Sequence, residues 1–256
     1  MSRRSTTSSG PDVRAALGFL TILPVGRLHA APGRGALIAF PIVGLVIGGL
    51  WAGVAVGALA WWDPLVAAVI VVTVDAIVTG GLHLDAVADI GDVVGSRRRG
   101  PQALEVARDP HVGALGALAL LVVLLLRVAF VSLILSGPTM SGQLASHPAW
   151  TLIAVPVVGR AAMVAALAGS PRSGGSSATA LAAAATPPVL AWSLMTAVAV
   201  LLLVVGPWQV AAVIAAATAF TAGTTVWWRR RVGAASGDLV GAVGVVAEVA
   251  VLAVIA

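Results

Sequence analysis

Seven long apolar stretches decide what this chain can fold into. They run over residues 37–61, 65–79, 114–135, 149–167, 188–205, 208–227 and 239–256. A bilayer core of ~30 Å is crossed by a helix of ~20 apolar residues. With no water there to satisfy backbone polar groups, a single crossing segment has to be helical. The second stretch is short, so it is tilted or continues through Gly80, and the fifth has room to begin earlier, in the Ala-rich run at Ala178. The predicted fold is all-α: a polytopic membrane protein of about seven transmembrane helices with a cytoplasmic Asp-rich helix or loop. Composition agrees, because 59% hydrophobic and 10% charged residues with a mean hydropathy of +1.04 lie outside the range of soluble globular domains. Cysteine is absent, which excludes disulfides and thiolate metal sites.

All 15 basic residues are arginines, and the net charge is +5. Arg3, Arg4, Arg14, Arg27 and Arg34 precede the first stretch. Arg97, Arg98, Arg99 and Arg108 lie between the second and third, Arg172 follows the fourth, and Arg229, Arg230 and Arg231 follow the sixth. The alternate connections, near Asp63, His147 and Pro207, hold none. The positive-inside rule therefore puts the N-terminus and the Asp-rich interval in the cytoplasm of a bacterial-type cell (inner or plasma) membrane, with the C-terminus outside. The basic balance reports this topology, and no nucleic-acid partner is expected. The bilayer is the expected macroscopic partner, and the oligomeric state is left open.

Residues 1–12 are rich in Ser, Thr and Gly and read as a disordered tail. Residues 13–256 read as a single integral membrane catalytic domain. At its start Phe19, Leu20, Ile22 and Leu23 form an apolar patch ended by Pro24, which suits a membrane-surface helix. The patch is too short, and too poor in a cleavage site, for the twin arginines before it to mark a targeting signal. Phe40-Pro41 lies inside the first stretch, and Gly44, Gly48, Gly49 and Gly53 beyond it allow close helix packing.

One long polar interval interrupts the hydrocarbon: GGLHLDAVADIGDVVGSRRRGPQALEVARDPHVG, residues 80–113. It holds Asp85, Asp89, Asp92, Glu105 and Asp109, half of the ten acidic residues. Asp85, Asp89 and Asp92 stand at i, i+4 and i+7, one stripe of a helix. Carboxylates so close must be protonated, paired with arginine, or bridged by a hard divalent cation, of which Mg2+ is the natural one. The plainer reading is a solvated acidic face partnered by Arg97, Arg98 and Arg99. Glu105 and Asp109, also four apart, either complete a second cation site or flank Arg108 on a surface helix. His83 is either a general base or a histidine hydrogen-bonded at a helix start.

Four ionisable residues fall at membrane depth: Asp75, Arg127, Arg160 and Glu248. Such groups are costly unless they face a partner or a polar cavity. One reading makes them structural pairs, for instance Arg127 with Asp75 or Glu248; the other has Arg160 reach a phosphate in a cavity open to the cytoplasm. The GSPRSGGSSA run with Arg172 either covers a phosphate or is a linker. Asp238 is placed to cap the last helix, whose positive end would face the Asp stripe and suit an anionic substrate.

At GGLHLDAVADIGD, followed by ALEVARDPHVGALGALALL, the sequence resembles the cobalamin synthase family, the adenosylcobinamide-GDP ribazoletransferases. FLTILPV, FPIVGLVIGGL, the Arg160 segment and RRRVGAASGDLVGAVGVVAE extend the likeness in order over nearly the whole chain. The resemblance implies a magnesium-dependent membrane enzyme of the late vitamin B12 pathway. Such an enzyme joins α-ribazole, or its 5′-phosphate, to adenosylcobinamide-GDP and releases GMP. It implies Mg2+ on Asp85, Asp89, Asp92 and Asp109. Diphosphate or phosphate contacts would come from Arg108, Arg160, Arg229, Arg230 and Arg231, with Asp238 beside the substrate. His83 or a carboxylate such as Asp89 or Asp109 would accept the hydroxyl proton. The chain departs from the family's usual glycines at Ala86 and Val93, from an arginine at His111 and from a glutamate near Val245.

Two other readings compete. A CDP-alcohol-type membrane phosphotransferase also uses Asp and metal, but expects an Asp-Gly, Ala-Arg pattern that Ala86-Val87-Ala88-Asp89 does not supply. A membrane transporter would use Asp75, Arg127 and Glu248 as a charge relay and predicts internal repeats, none of which is evident. The nucleotide product separates them: GMP, CMP or neither.

Overall fold

The computed structural model describes residues 11–26, 32–137, 147–171 and 177–256. The expected tail over residues 1–10, Arg27, and the Arg172 loop over 172–176 lie outside the described residues. Within them the chain is helical and carries no strand: α1 Val13–Leu20, α2 Arg34–Leu59, α3 Pro64–Val78, α4 Leu82–Ser96, α5 Pro101–Ala107, α6 Ala114–Ser136, α7 Ala154–Gly169, α8 Ser177–Ala184, α9 Pro187–Val204, α10 Pro207–Arg231 and α11 Gly237–Ile255. A 3₁₀ stretch, Pro148–Ile153, leads into α7. Among the described residues six helices are long and apolar enough to cross a membrane, and α3 with α4, bent by 92°, forms either a broken seventh span or a re-entrant pair. The second apolar stretch therefore does not run straight through Gly80; the chain turns there. The fifth span starts at Pro187, because Thr186-Pro187-Pro188 breaks the backbone ladder after α8.

Local chemistry sets the starts of the outer turns. The Asp63 carboxylate accepts from the Val66 N–H at 3.0 Å, ahead of Pro64 in the first turn of α3. Proline also opens α9 and α10, where its missing N–H costs nothing. Exposed Trp61, Trp62, Trp150 and Trp208 lie at this end of the bundle, at the α2–α3 turn and the starts of the 3₁₀ stretch and α10. The exposed arginines among the described residues, Arg14, Arg34, Arg97, Arg98, Arg99, Arg108, Arg229 and Arg230, lie at the other end. The exposed arginines thus gather at one end, the separation that their spacing predicts, while exposed tryptophans stand at both, with Trp192 of α9 beside Arg34.

Among the spans α7 and α11 are the most enclosed, and α6 and α10 the least. Small residues make that centre possible. A Cβ on Gly44 of α2 would stand 2.8 Å from the Val157 Cα of α7, closer than real contacts allow, so α2 and α7 meet backbone to backbone. Gly48 makes the same approach at Ile153, whereas Gly49 and Gly53 face open space and have no part in it. The N-terminal apolar patch does not merely rest on the surface. Asp12 caps α1 through the Ala15 N–H at 2.9 Å, and α1 buries Ala15, Ala16 and Leu20. Ile22 then donates its N–H to the Val78 carbonyl at 2.9 Å, which fastens the segment over the end of α3.

Candidate functional site

The site begins where α3 stops. Gly80 and Gly81 both have left-handed backbones, φ +64° and +68°, a conformation glycine takes without penalty. That pair turns the chain by 92° into α4, so the acidic stripe runs across the end of the bundle. Leu84, Ala86, Val87, Ala88 and Val93 bury one side of α4, while Asp85 is exposed and Asp89 and Asp92 half-buried. Small residues bring the neighbours close: a Cβ on Gly91 would lie 2.8 Å from the Leu115 carbonyl of α6, and one on Gly241 of α11 2.8 Å from the Ala86 Cβ.

The stripe divides by partner. Asp92 accepts backbone N–H bonds from Gly113 at 2.7 Å and Gly116 at 2.8 Å, one on each carboxylate oxygen. It caps α6, whose own cap position is Gly113 with no side chain to offer. Asp85 and Asp89 instead lie towards the start of α11. Asp89 is in electrostatic reach of Asp238 as well as of Asp85 and Asp92. Asp238 is in reach of Asp85 and Arg108. The cap of α11 is Ser236, not Asp238. The Ser236 hydroxyl oxygen accepts from the Asp238 N–H at 3.1 Å, and the hydroxyl donates to the Asp238 carboxylate at 2.6 Å. Asp238 is thereby aimed rather than spent on capping.

Two hollows meet at Asp238. A cavity of about 200 Å³ is lined by His83, Asp85 and Asp238 at its polar side and by Phe19, Met163, Leu167, Leu181 and Val240 elsewhere. A more open groove of about 350 Å³ has Arg108, Ser236 and Asp238 on its walls. Arg108 is thus the expected substrate arginine that the structure brings to the carboxylates. Arg229, Arg230 and Arg231 line neither hollow; the Arg231 carbonyl accepts from the Gly100 N–H at 2.8 Å and ties α10 to the loop before α5. His83 is buried in the cavity wall and makes no hydrogen bond among the described residues.

Asp109 stands apart, in a third groove with Asp92, Arg98, Glu105 and His111. It accepts from the His111 backbone N–H at 3.0 Å and pairs with its ring Nδ1 at 2.8 Å. Those bonds, the backbone one first, hold the Asp109 carboxyl below the usual carboxylate range. Arg160 is also elsewhere than at a phosphate. It is 1% exposed and pairs with Glu248. Glu248 in turn accepts from Arg127 at 3.1 Å, and Arg127 donates to Asp75 at 2.7 Å. The Trp51 indole N–H donates to Asp75 at 3.0 Å, and the Arg127 guanidinium sits 5.0 Å over its ring. The four intramembrane charges sum to zero and pair with one another, as the pairing reading expects, while the Arg127 Nε and the Arg160 Nε and Nη2 are buried with no hydrogen-bond partner among the described residues, and none of the four lines the cavities described here.

Asp85, Asp89 and Asp238 are hard oxygen donors of the kind a Mg2+ ion takes. Among the described residues no three His, Asp or Glu side chains converge closely enough to hold a metal by themselves. A Mg2+ ion held there would need further ligands, such as the phosphates of a substrate. Asp92 has both oxygens engaged by α6 and lines the third groove, not the two hollows at Asp238.

Comparison with known proteins gives these residues their context. The chain is 42% identical over 146 residues to the adenosylcobinamide-GDP ribazoletransferase of Roseiflexus sp. (strain RS-1), covering 52% of this chain and 54% of that protein. It is 38% identical over 125 residues to the protein of that name from Herpetosiphon aurantiacus, covering 45% and 48%. With that of Brevibacillus brevis it shares 37% over 149 residues, covering 57% and 56%. The chain thus spans about half the length of the curated relatives it matches. No solved structure matches it. The sequence profile of the cobalamin-5-phosphate synthase family, however, matches residues 12–256, from the cap of α1 to the last residue. A polytopic helical protein carrying that match over all its spans belongs to the cobalamin-5-phosphate synthase family.

Proposed function

We propose that this protein joins α-ribazole, or its 5′-phosphate, to adenosylcobinamide-GDP and releases GMP, at the cytoplasmic face of a bacterial plasma membrane. The observation that carries this reading is the placing of Asp85, Asp238 and Arg108 where the cavity and the Arg108 groove join, with Asp89 in electrostatic reach of Asp238 and Asp85. In the reaction a ribose hydroxyl oxygen of the nucleoside bonds to the phosphorus attached to cobinamide. The diphosphate P–O bond to the GMP phosphate breaks, and GMP carries away that bridging oxygen and electron pair. The hydroxyl proton passes to His83 or to a carboxylate such as Asp89. Arg108 takes up charge on the departing phosphate. Asp238, held by Ser236, orients the hydroxyl or shares a cation with Asp85 and Asp89. A bound Mg2+ would neutralise phosphate oxygens during the displacement. The exposed arginines at this end support its assignment to the cytoplasm.

The test is GMP release by the purified protein in lipid, supplied with adenosylcobinamide-GDP and α-ribazole. Magnesium-dependent GMP matched by a corrinoid product is expected. Asp89→Asn should abolish it with insertion intact, and His83→Ala should lower turnover about 10²- to 10⁴-fold. A folded protein that yields no GMP, or full turnover in Asp89→Asn, overturns the assignment; CMP release would favour the CDP-alcohol reading instead. The relay reading has lost its support, because its residues close onto one another away from the cavities.

A further inference from the structure

The two hollows differ in size and chemistry, and that difference sorts the parts of the two substrates. The cavity under Asp85 and Asp238 is only about 200 Å³, below the roughly 300–1,000 Å³ of sites that enclose drug-sized ligands. A corrin macrocycle does not enter it. Its far walls are hydrocarbon or thioether, from Phe19 of α1, Met163 and Leu167 of α7, and Leu181 of α8. Its polar lining is His83, Asp85 and Asp238, with Ser177 at the start of α8. A hollow with walls so largely apolar favours a flat apolar fragment with one polar end, because a donor or acceptor set against those walls loses water without gaining a partner.

We infer that this cavity is the seat of the acceptor nucleoside's base, and that it selects a flat, apolar, two-ring heterocycle. The inference rests on the transfer reading above for the identity of the ligand. α-Ribazole carries such a base, a dimethylated benzimidazole with no exocyclic donor. With the base against Phe19, Met163 and Leu167, its ribose falls beside His83, Asp85 and Asp238 at the polar side. The donor, with its corrinoid and diphosphate, is left to the open Arg108 groove beyond Asp238. Met163 is the wall residue best placed to set the limit on size. It is buried and packs against Gly244 of α11, so a bulkier side chain there would take its volume from the cavity. Met163, Leu167 and Leu181 are therefore specificity-determining residues, in contact with the base and remote from the phosphorus.

The experiment combines equilibrium binding of α-ribazole to the protein in lipid nanodiscs with steady-state kinetics for both substrates. For the unaltered protein, replacing the base by adenine on the same sugar linkage should weaken binding roughly ten- to hundredfold, the cost of burying an unpaired polar edge. Met163→Phe should raise KM for α-ribazole at least tenfold and leave KM for adenosylcobinamide-GDP unchanged. Leu181→Ala, at the other wall, should instead relax the limit and admit bulkier apolar bases. Equal binding of the two nucleosides overturns the inference without any variant, so a misfolded variant does not protect it. So does a Met163→Phe protein that loses affinity for the donor alone. Base-selective binding with no GMP release would leave the cavity assignment standing and overturn the transfer reading. GMP release indifferent to the base would do the reverse.

Discussion

Replacing Arg127 by Met asks what the buried charges contribute. Arg127 is 1% exposed, and it donates to Asp75 at 2.7 Å and to Glu248 at 3.1 Å. Without it two carboxylates face the single guanidinium of Arg160, a net charge of −1 in the middle of the bundle. Asp75 would keep only the Trp51 indole N–H. Removing one partner of a buried pair costs about 3–5 kcal/mol, because the other charge stays buried and uncompensated. Methionine refills most of the volume, so little of that cost would come from a cavity. Set against a typical total of ~5–15 kcal/mol, the loss is severe.

The assay is unfolding of the purified protein in detergent, by heat or by SDS titration, for the wild type, Arg127→Met, Asp75→Asn and the double variant. Neutralising Asp75 as well restores the charge balance while keeping an acceptor for Trp51, so the double variant should recover at least half of the loss. The coupling from this cycle should exceed about 1 kcal/mol, as for residues in one network. An Arg127→Met protein within about 0.5 kcal/mol of wild type, the range of an ordinary surface change, would refute the argument. So would a double variant no more stable than Arg127→Met.

Three further outcomes follow from the same geometry. Asp92→Ala should cost about 1–2 kcal/mol by stripping the α6 cap, with Asn intermediate and magnesium-dependent turnover retained; Asp89→Asn should give the opposite pattern, and identical behaviour of the two positions in unfolding and turnover would merge their roles again. Gly48→Ala should destabilise by about 1–3 kcal/mol because the new Cβ meets the backbone at Ile153, whereas Gly49→Ala, facing open space, should be neutral in the same unfolding assay. The bonds from His111 give stability that is present above the unfolded carboxylate value of ~3.9 and lost as pH falls through the lower folded value of Asp109; in His111→Ala an NMR titration of Asp109 should move only part of the way back, since the backbone N–H remains, and a full return would give the ring the larger share.

The spans were legible because the bilayer imposes a length and forbids unpaired backbone, and both demands act on local sequence. The departures came where the partner is far along the chain. The Asp stripe is a helical stripe, but its period cannot say that Asp92 belongs to α6 while Asp89 belongs with Asp238. The Arg160–Glu248 pair spans 88 residues and the Arg127–Glu248 pair 121. What sequence does announce at such places is a debt. The α6 helix begins at Gly113-Ala114 with no Ser, Thr, Asp or Asn at its cap, and α4 begins after Gly81 in the same condition. A helix start with no capping side chain leaves its first N–H groups to water or to a group from elsewhere, and at the exposed start of α6 a carboxylate from the preceding polar interval is the candidate nearest in composition and charge. Asp92 meets that demand with two bonds. The α11 helix has no such deficit, since Ser236 caps it from within. That is why an acidic residue in its first turn, Asp238, remains free to face Asp85, Asp89 and a substrate.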